Sequence, residues 1–205
     1  MVSSTIRSLI LLIVVALLAS CGSTQSYQPV PRSSGIDGVW IFLSENQDAQ
    51  QLLARSISYS PLSRQAMSSL KKDISANEKA YDALRERRVV QDLMASQMGL
   101  TPQELFIKSE GKAVSIDFGV MGYFTFMTGK ETEVLIAEVE VDAQAGWEPE
   151  TRSLRVDFYP PAAVKVEQQF TLIESAILRQ RVTIKLFNRQ DPVILERLYR
   201  RKLQY

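Results

Sequence analysis

Apolar residues change their spacing along this chain, and each change marks a different kind of element. From Leu9 to Ala19 eleven apolar residues run without a break, too few for the roughly 20 that a helix needs to cross hydrocarbon. Ile36 to Leu43 is a short β-branched and aromatic run, which predicts a buried first strand. A polar, helix-favouring stretch follows. From Leu62 to Met98 the apolar positions Met67, Leu70, Ile74, Tyr81, Leu84, Val90, Leu93 and Met94 recur at three and four, the stripe of one helical face. Ser60-Pro61 supplies an N-cap with proline at the first helical position, and Gly99 a C-terminal stop. The spacing therefore predicts a long helical insert over 60–99.

Past Glu104 the period falls to two. Leu105-Phe106-Ile107 and the set Val114, Ile116, Phe118 flank Ser109-Glu110-Gly111-Lys112, a hairpin turn with its glycine. Thr101-Pro102-Gln103-Glu104 has the form of a capping box, predicting a helical turn before that strand. Tyr123 to Met127 forms another strand. In the next, Leu135, Ala137, Val139 and Val141 face one way, with Glu138, Glu140 and Asp142 opposite, where an acidic row can meet Arg179, Arg181 and Lys185. Alternation continues in Leu154, Val156, Phe158, in Val164, Val166, Gln168, Phe170, and in Val182, Ile184, Leu186; a last strand spans Val193 to Arg200. Links this short cannot hold parallel crossovers. The expected class is mainly β with a helical insertion: an antiparallel meander that curls into a barrel of about eight strands, because closure removes unpaired edges.

Residues 1–20, with Arg7 before the apolar run and small residues after it, have the parts of a cleavable secretory leader, which alters the charge picture. Of 24 Lys and Arg only Arg7 lies within residues 1–20, so its removal leaves 23 basic against 23 acidic side chains. With that balance nothing suggests a nucleic-acid partner, which would require a basic surplus clustered on one face. Arg197, Arg200, Arg201 and Lys202 form a local basic tail. Gly22 to Gly35, rich in Ser, Gln and Pro without apolar period, reads as a tether reaching at most roughly 50 Å. The domain organisation is a leader over 1–20, a tether over 21–35 and one domain over 36–205.

Catalytic chemistry is narrowed by elimination. The chain has no histidine, which removes a Ser-His-Asp triad, histidine metal sites and the usual neutral-pH acid–base group. Its single cysteine is Cys21. Gly119-Val120-Met121-Gly122 lacks the Lys-Ser/Thr of a phosphate loop, and Ser44 to Asp48 lacks the glycine of a calcium loop. The expectation is a non-enzymatic protein without metal or cofactor.

Two resemblances add to this reading. Leu18-Ala19-Ser20-Cys21, after one cation and an apolar run, resembles the lipobox of bacterial lipoprotein precursors. The resemblance implies cleavage before Cys21, acylation of its thiol as a membrane anchor, and, with Gly22 in place of aspartate, an outer-membrane address facing the periplasm. Gly38-Val39-Trp40 on the first strand, with an arginine near the chain end (Arg197 or Arg200), resembles the lipocalin arrangement, in which that tryptophan packs under the arginine at the barrel floor. The order of these motifs, with Trp147 before Leu154-Arg155-Val156, is similar to a group of proteobacterial exported proteins with a lipocalin-like domain. Two roles follow as expectations: a periplasmic scaffold or interaction module whose helical arm meets an envelope protein, or a lipocalin-like binder of an apolar small molecule or lipid. For the binder, the ligand-lining candidates are Phe118, Phe124, Phe126, Phe158 and Phe170.

Overall fold

A computed structural model describes residues 27–203 apart from 47, 59–89, 162–163 and 187–190. The lipobox and most of the insert's apolar stripe, Leu62 to Leu84, lie outside the described residues.

Among the described residues ten strands form one antiparallel sheet: β1 (Gly38–Glu45), β2 (Glu104–Glu110), β3 (Ala113–Asp117), β4 (Tyr123–Met127), β5 (Glu131–Ile136), β6 (Val139–Glu148), β7 (Ser153–Tyr159), β8 (Lys165–Glu174), β9 (Ile177–Lys185) and β10 (Val193–Arg201). Their order, β4-β3-β2-β1-β10-β9-β8-β7-β6-β5, is a meander with β1 seated between β2 and the last strand. Burial alternates as period two demands. Val166, Gln168 and Phe170 on β8, and Leu178, Gln180, Val182 and Ile184 on β9, are inside, while their neighbours face out. The expected rolled meander is therefore present. The sheet's edge strands, β4 and β5, are joined by the turn at Thr128 to Lys130, whose Gly129 N donates to Ala145 O on β6 at 3.0 Å.

The strand count is ten instead of about eight, largely because the segment over 135–142 is two strands. Ala137 and Glu138 both adopt positive φ, 48° and 66°, the backbone of a two-residue hairpin turn. That turn reverses the chain inside an alternation that looked continuous. As a result Leu135 is 61 % exposed and Val134 and Ile136 are buried. Glu140 then pairs with Leu135, and Asp142 with Glu133 and Tyr159, not with Arg179, Arg181 or Lys185.

Between β1 and β2 lie helix α1 (Ala49–Ser58) and helical residues 90–99, here α2. No helical turn occupies Thr101 to Gln103. Among the described residues no helix is long and apolar enough to cross a membrane.

Tyr27 to Asp37, mostly assigned to the tether by composition, packs on the barrel. Gln28 and Trp147 exchange backbone hydrogen bonds at 3.0 and 2.7 Å, extending β6 where β5 has ended. Val30 and Ile36 are buried. Gly146 permits the crossing, because a Cβ there would stand 2.5 Å from that of Tyr27. At the floor Trp40 is fully buried and donates from Nε1 to Ile36 O at 2.9 Å. The arginine over its ring is Arg201, 4.3 Å from the centroid, not Arg197 or Arg200. Arg201 also donates to the carbonyls of Asp37 and Gly35, so it ties the last strand to the incoming chain.

Candidate functional site

The five predicted phenylalanines converge. Phe118 at the end of β3, Phe124 and Phe126 on β4, Phe158 on β7 and Phe170 on β8 are all buried. Their ring centroids lie 6.0 to 6.3 Å apart in successive pairs, from Phe124 and Phe126 across to Phe158 and Phe170. Tilted and edge-on contacts at this spacing suit aromatic quadrupoles. One side of the interior is thus an aromatic wall.

The other side is polar. Arg197 on β10, Gln180 on β9 and Gln168 on β8 are each about 1 % exposed, and Tyr199 is fully buried. All four occupy inward positions in phase with Leu195, Leu178 and Val166. Arg197 Nε donates to Glu45 Oε1 at 2.7 Å, one NH2 hydrogen goes to Gly99 O at 2.5 Å, and NH1 reaches Gln180 Oε1 at 3.4 Å. Gln180 Oε1 also accepts from the Tyr199 hydroxyl at 3.0 Å, and its Nε2 donates to Gln168 Oε1 at 2.8 Å. Burial pushes the Tyr199 phenol above its usual value near 10, so its hydroxyl stays a donor.

Glu45 reaches this cluster through a bulge. The β1–β10 pairing shifts register between Phe42 and Ser44. One extra residue in a strand swaps the faces that follow it. Trp40 and Glu45, five residues apart, consequently both point inward, and Glu45 meets Arg197. Composition offered no sign of this, whereas the in-phase placement of Gln168, Gln180 and Arg197 was readable as polar residues on an apolar face.

The helices close the adjacent mouth. Gln91, Met94, Ala95 and Met98 form the buried face of α2, joined by Leu53 from α1. Gly99 sits so tightly against Leu53 that a Cβ would come within 2.2 Å of its Cδ2. Gln50 Nε2 donates to Gly99 O and Glu45 Oε2, both at 3.1 Å, and Thr101 Oγ1 to Glu45 Oε1 at 3.1 Å. The helical cover and the polar cluster are therefore one hydrogen-bonded unit.

A second charged group lies on the outer face. Asp157 points outward as expected, yet it is only 1 % exposed because Tyr27 covers it, donating from its hydroxyl at 2.6 Å. Arg155 bridges Asp157 and Glu167 at 2.9 and 3.2 Å, and Lys165 and Lys185 each reach Glu167 at 2.9 Å. A shallow groove of about 320 Å³ beside them is lined by Arg155, Glu167, Arg181 and Lys185 among others. Apart from Arg181, which reaches Glu196 at 3.9 Å, these charges are paired among themselves, and with Tyr27 bound to Asp157 the network is a clasp for the incoming chain. Among the described residues no group of His, Cys, Asp and Glu could hold a metal ion. The basic tail disperses too: Arg197 is inside, Arg201 stacks on Trp40, and Lys202 pairs with Glu104 at 3.2 Å.

No family model and no curated protein sequence matches the chain. Solved structures do. A secretory abundant heat soluble protein from Ramazzottius varieornatus is similar with a TM-score of 0.52 at 10 % identity, over 87 % of this chain and 100 % of that one. Zebrafish ileal bile acid-binding protein, solved with cholic acid, gives 0.44 at 12 % identity over 82 % and 99 %. The fluorescent protein UnaG gives 0.46 at 13 % over 84 % and 99 %. The first of these carries the fold: a lipocalin-like, nearly closed antiparallel barrel with, among the described residues, two helices after the first strand.

Proposed function

We propose that the protein is a non-enzymatic binder or carrier of an apolar small molecule or lipid, held at the outer membrane through an acylated Cys21 and working in the periplasm. The observation that carries the ligand reading is the buried polar cluster of Arg197, Gln180, Tyr199 and Gln168 beside the phenylalanine wall. A barrel whose task was rigidity alone would be as stable, or more so, with apolar residues there, since a buried ion pair rarely repays its desolvation. An apolar cavity with a few converging polar groups is what a small-molecule site needs. The methionine face of α2 is the natural door, because unbranched, polarizable side chains repack around guests of different shape. For these reasons we place the binder ahead of a scaffold role.

Cys21 stands six residues before Tyr27. At about 3.3 to 3.6 Å per residue, an anchor there holds the barrel within roughly 20 Å of the bilayer surface. Two acyl chains make such attachment effectively permanent. Native mass spectrometry of protein purified from its own membrane tests the reading. A stoichiometric apolar adduct is expected, and a Cys21→Ser variant should leave the membrane fraction. An empty barrel recovered with a stoichiometric protein partner would overturn the binder role, and unchanged fractionation of the variant would overturn the anchor.

A further inference from the structure

We propose that the barrel selects an uncharged amphiphile, with a long apolar body and a hydroxyl, ester or amide end, and discriminates against free carboxylates. This rests on the apolar-ligand reading above. Arg197 is the only cation on the inner face among the described residues that is fully enclosed, and by itself it would be a carboxylate receptor. It is not by itself. The β1 bulge delivers Glu45 to its Nε at 2.7 Å, so the charge is matched before any ligand arrives. Its other two contacts, with Gly99 O and Gln180 Oε1, engage NH2 and NH1. A carboxylate entering here would bring a second negative charge next to Glu45 in buried surroundings, with Phe170 paired across the strands to Gln180 and Leu195 next to Arg197 on the inward face. Like charges so close, with little water between them, strongly disfavour joint ionisation. A neutral end group meets no such cost: its oxygen can accept from the remaining Nε2 hydrogens of Gln180 and Gln168, and a hydroxyl can donate to the Tyr199 oxygen, beside the bonds those groups already make.

The site is thus set for polarity without charge, and Glu45 is its specificity-determining residue. Calorimetric titration of the full mature chain carrying Cys21→Ser with dodecanol, methyl dodecanoate and dodecanoic acid tests this at pH 8. Dodecanol and the ester should bind at least about tenfold more tightly than the acid, a difference of roughly 1.4 kcal/mol. Glu45→Gln frees Arg197 and should reverse the order. Should that variant fold poorly, the unmodified site carries the same test through pH: affinity for the acid should rise at pH 5, where a larger share of it is neutral, while affinity for the ester stays level. Acid binding equal to or tighter than alcohol binding at pH 8 would overturn the charge inference and leave the binder role standing. Failure of all three to bind would overturn both.

Discussion

Trp40 shows how much of the floor depends on one side chain. Its ring is fully enclosed, its indole N–H is satisfied by Ile36 O, and the Arg201 guanidinium lies over its face. Replacing it with alanine removes a large buried surface and leaves a void that the rigid barrel end cannot collapse around. Trp40→Ala should cost about 3 to 5 kcal/mol, read as a fall in urea midpoint, and a midpoint within error of the parent would contradict this packing. The Gly-x-Trp signal was legible because it is local. Its arginine was not, because Trp40 pairs with Arg201 only through a register that the Leu43 bulge sets. Glu45 escaped for the same reason: a strict period of two counted from Trp40 sends it to solvent.

Elements differ in how openly they declare themselves. The β2–β3 hairpin is announced by Gly111, whose φ is 60°. The β5–β6 hairpin turns at Ala137-Glu138, two residues that seldom adopt positive φ, and Leu135, Ala137, Val139 and Val141 alternate straight through it. What the pattern obscured was phase: the buried sets are Val134 and Ile136 on one strand and Val141, Ala143 and Ala145 on the next. An L-residue in the left-handed region costs roughly 1–2 kcal/mol. Substituting Ala137→Asn with Glu138→Gly, the pair that two-residue turns favour, should therefore raise stability by about 1 kcal/mol. Denaturant titration should show a higher midpoint at unchanged slope; a lower midpoint would mean that the turn has another geometry. The helices were legible as a stripe ending at Gly99, which α2 confirms for residues 90–99. Nothing in that stripe reveals that its last carbonyl is held by Arg197, since that contact spans 98 positions.

At the scale of the whole molecule, the clasp around Asp157 joins the incoming chain to β7, β8 and β9, and its chemistry predicts how stability depends on pH. Burial alone would raise the Glu167 carboxyl, but the ammoniums of Lys185 and Lys165 and the Arg155 guanidinium outweigh it and hold the group below the usual 4.5. A lowered carboxylate contributes stability that is present above its unfolded value and lost as pH falls through the folded one. Tyr27 behaves in the opposite sense. Burial, and then its hydrogen bond to Asp157, push the phenol well above 10, so its contribution is complete below 10 and is lost as pH rises beyond it. Lys165, raised on balance by Glu167 and Asp157 against its own burial, adds to the same alkaline limb. The unfolding free energy should therefore be level between about pH 5 and 9 and decline on both sides. Glu167→Gln should make the acid limb shallower and, because Lys165 loses its partner, soften the alkaline limb only in the part that Lys165 supplies. Tyr27→Phe should do the reverse, and because Tyr27 packs over Gly146 it should keep the aromatic contact while losing the hydroxyl. Chemical denaturation carried below and above that range separates the two, and an alkaline limb equally steep with and without the Tyr27 hydroxyl would mean that the clasp does not hold the chain to the barrel.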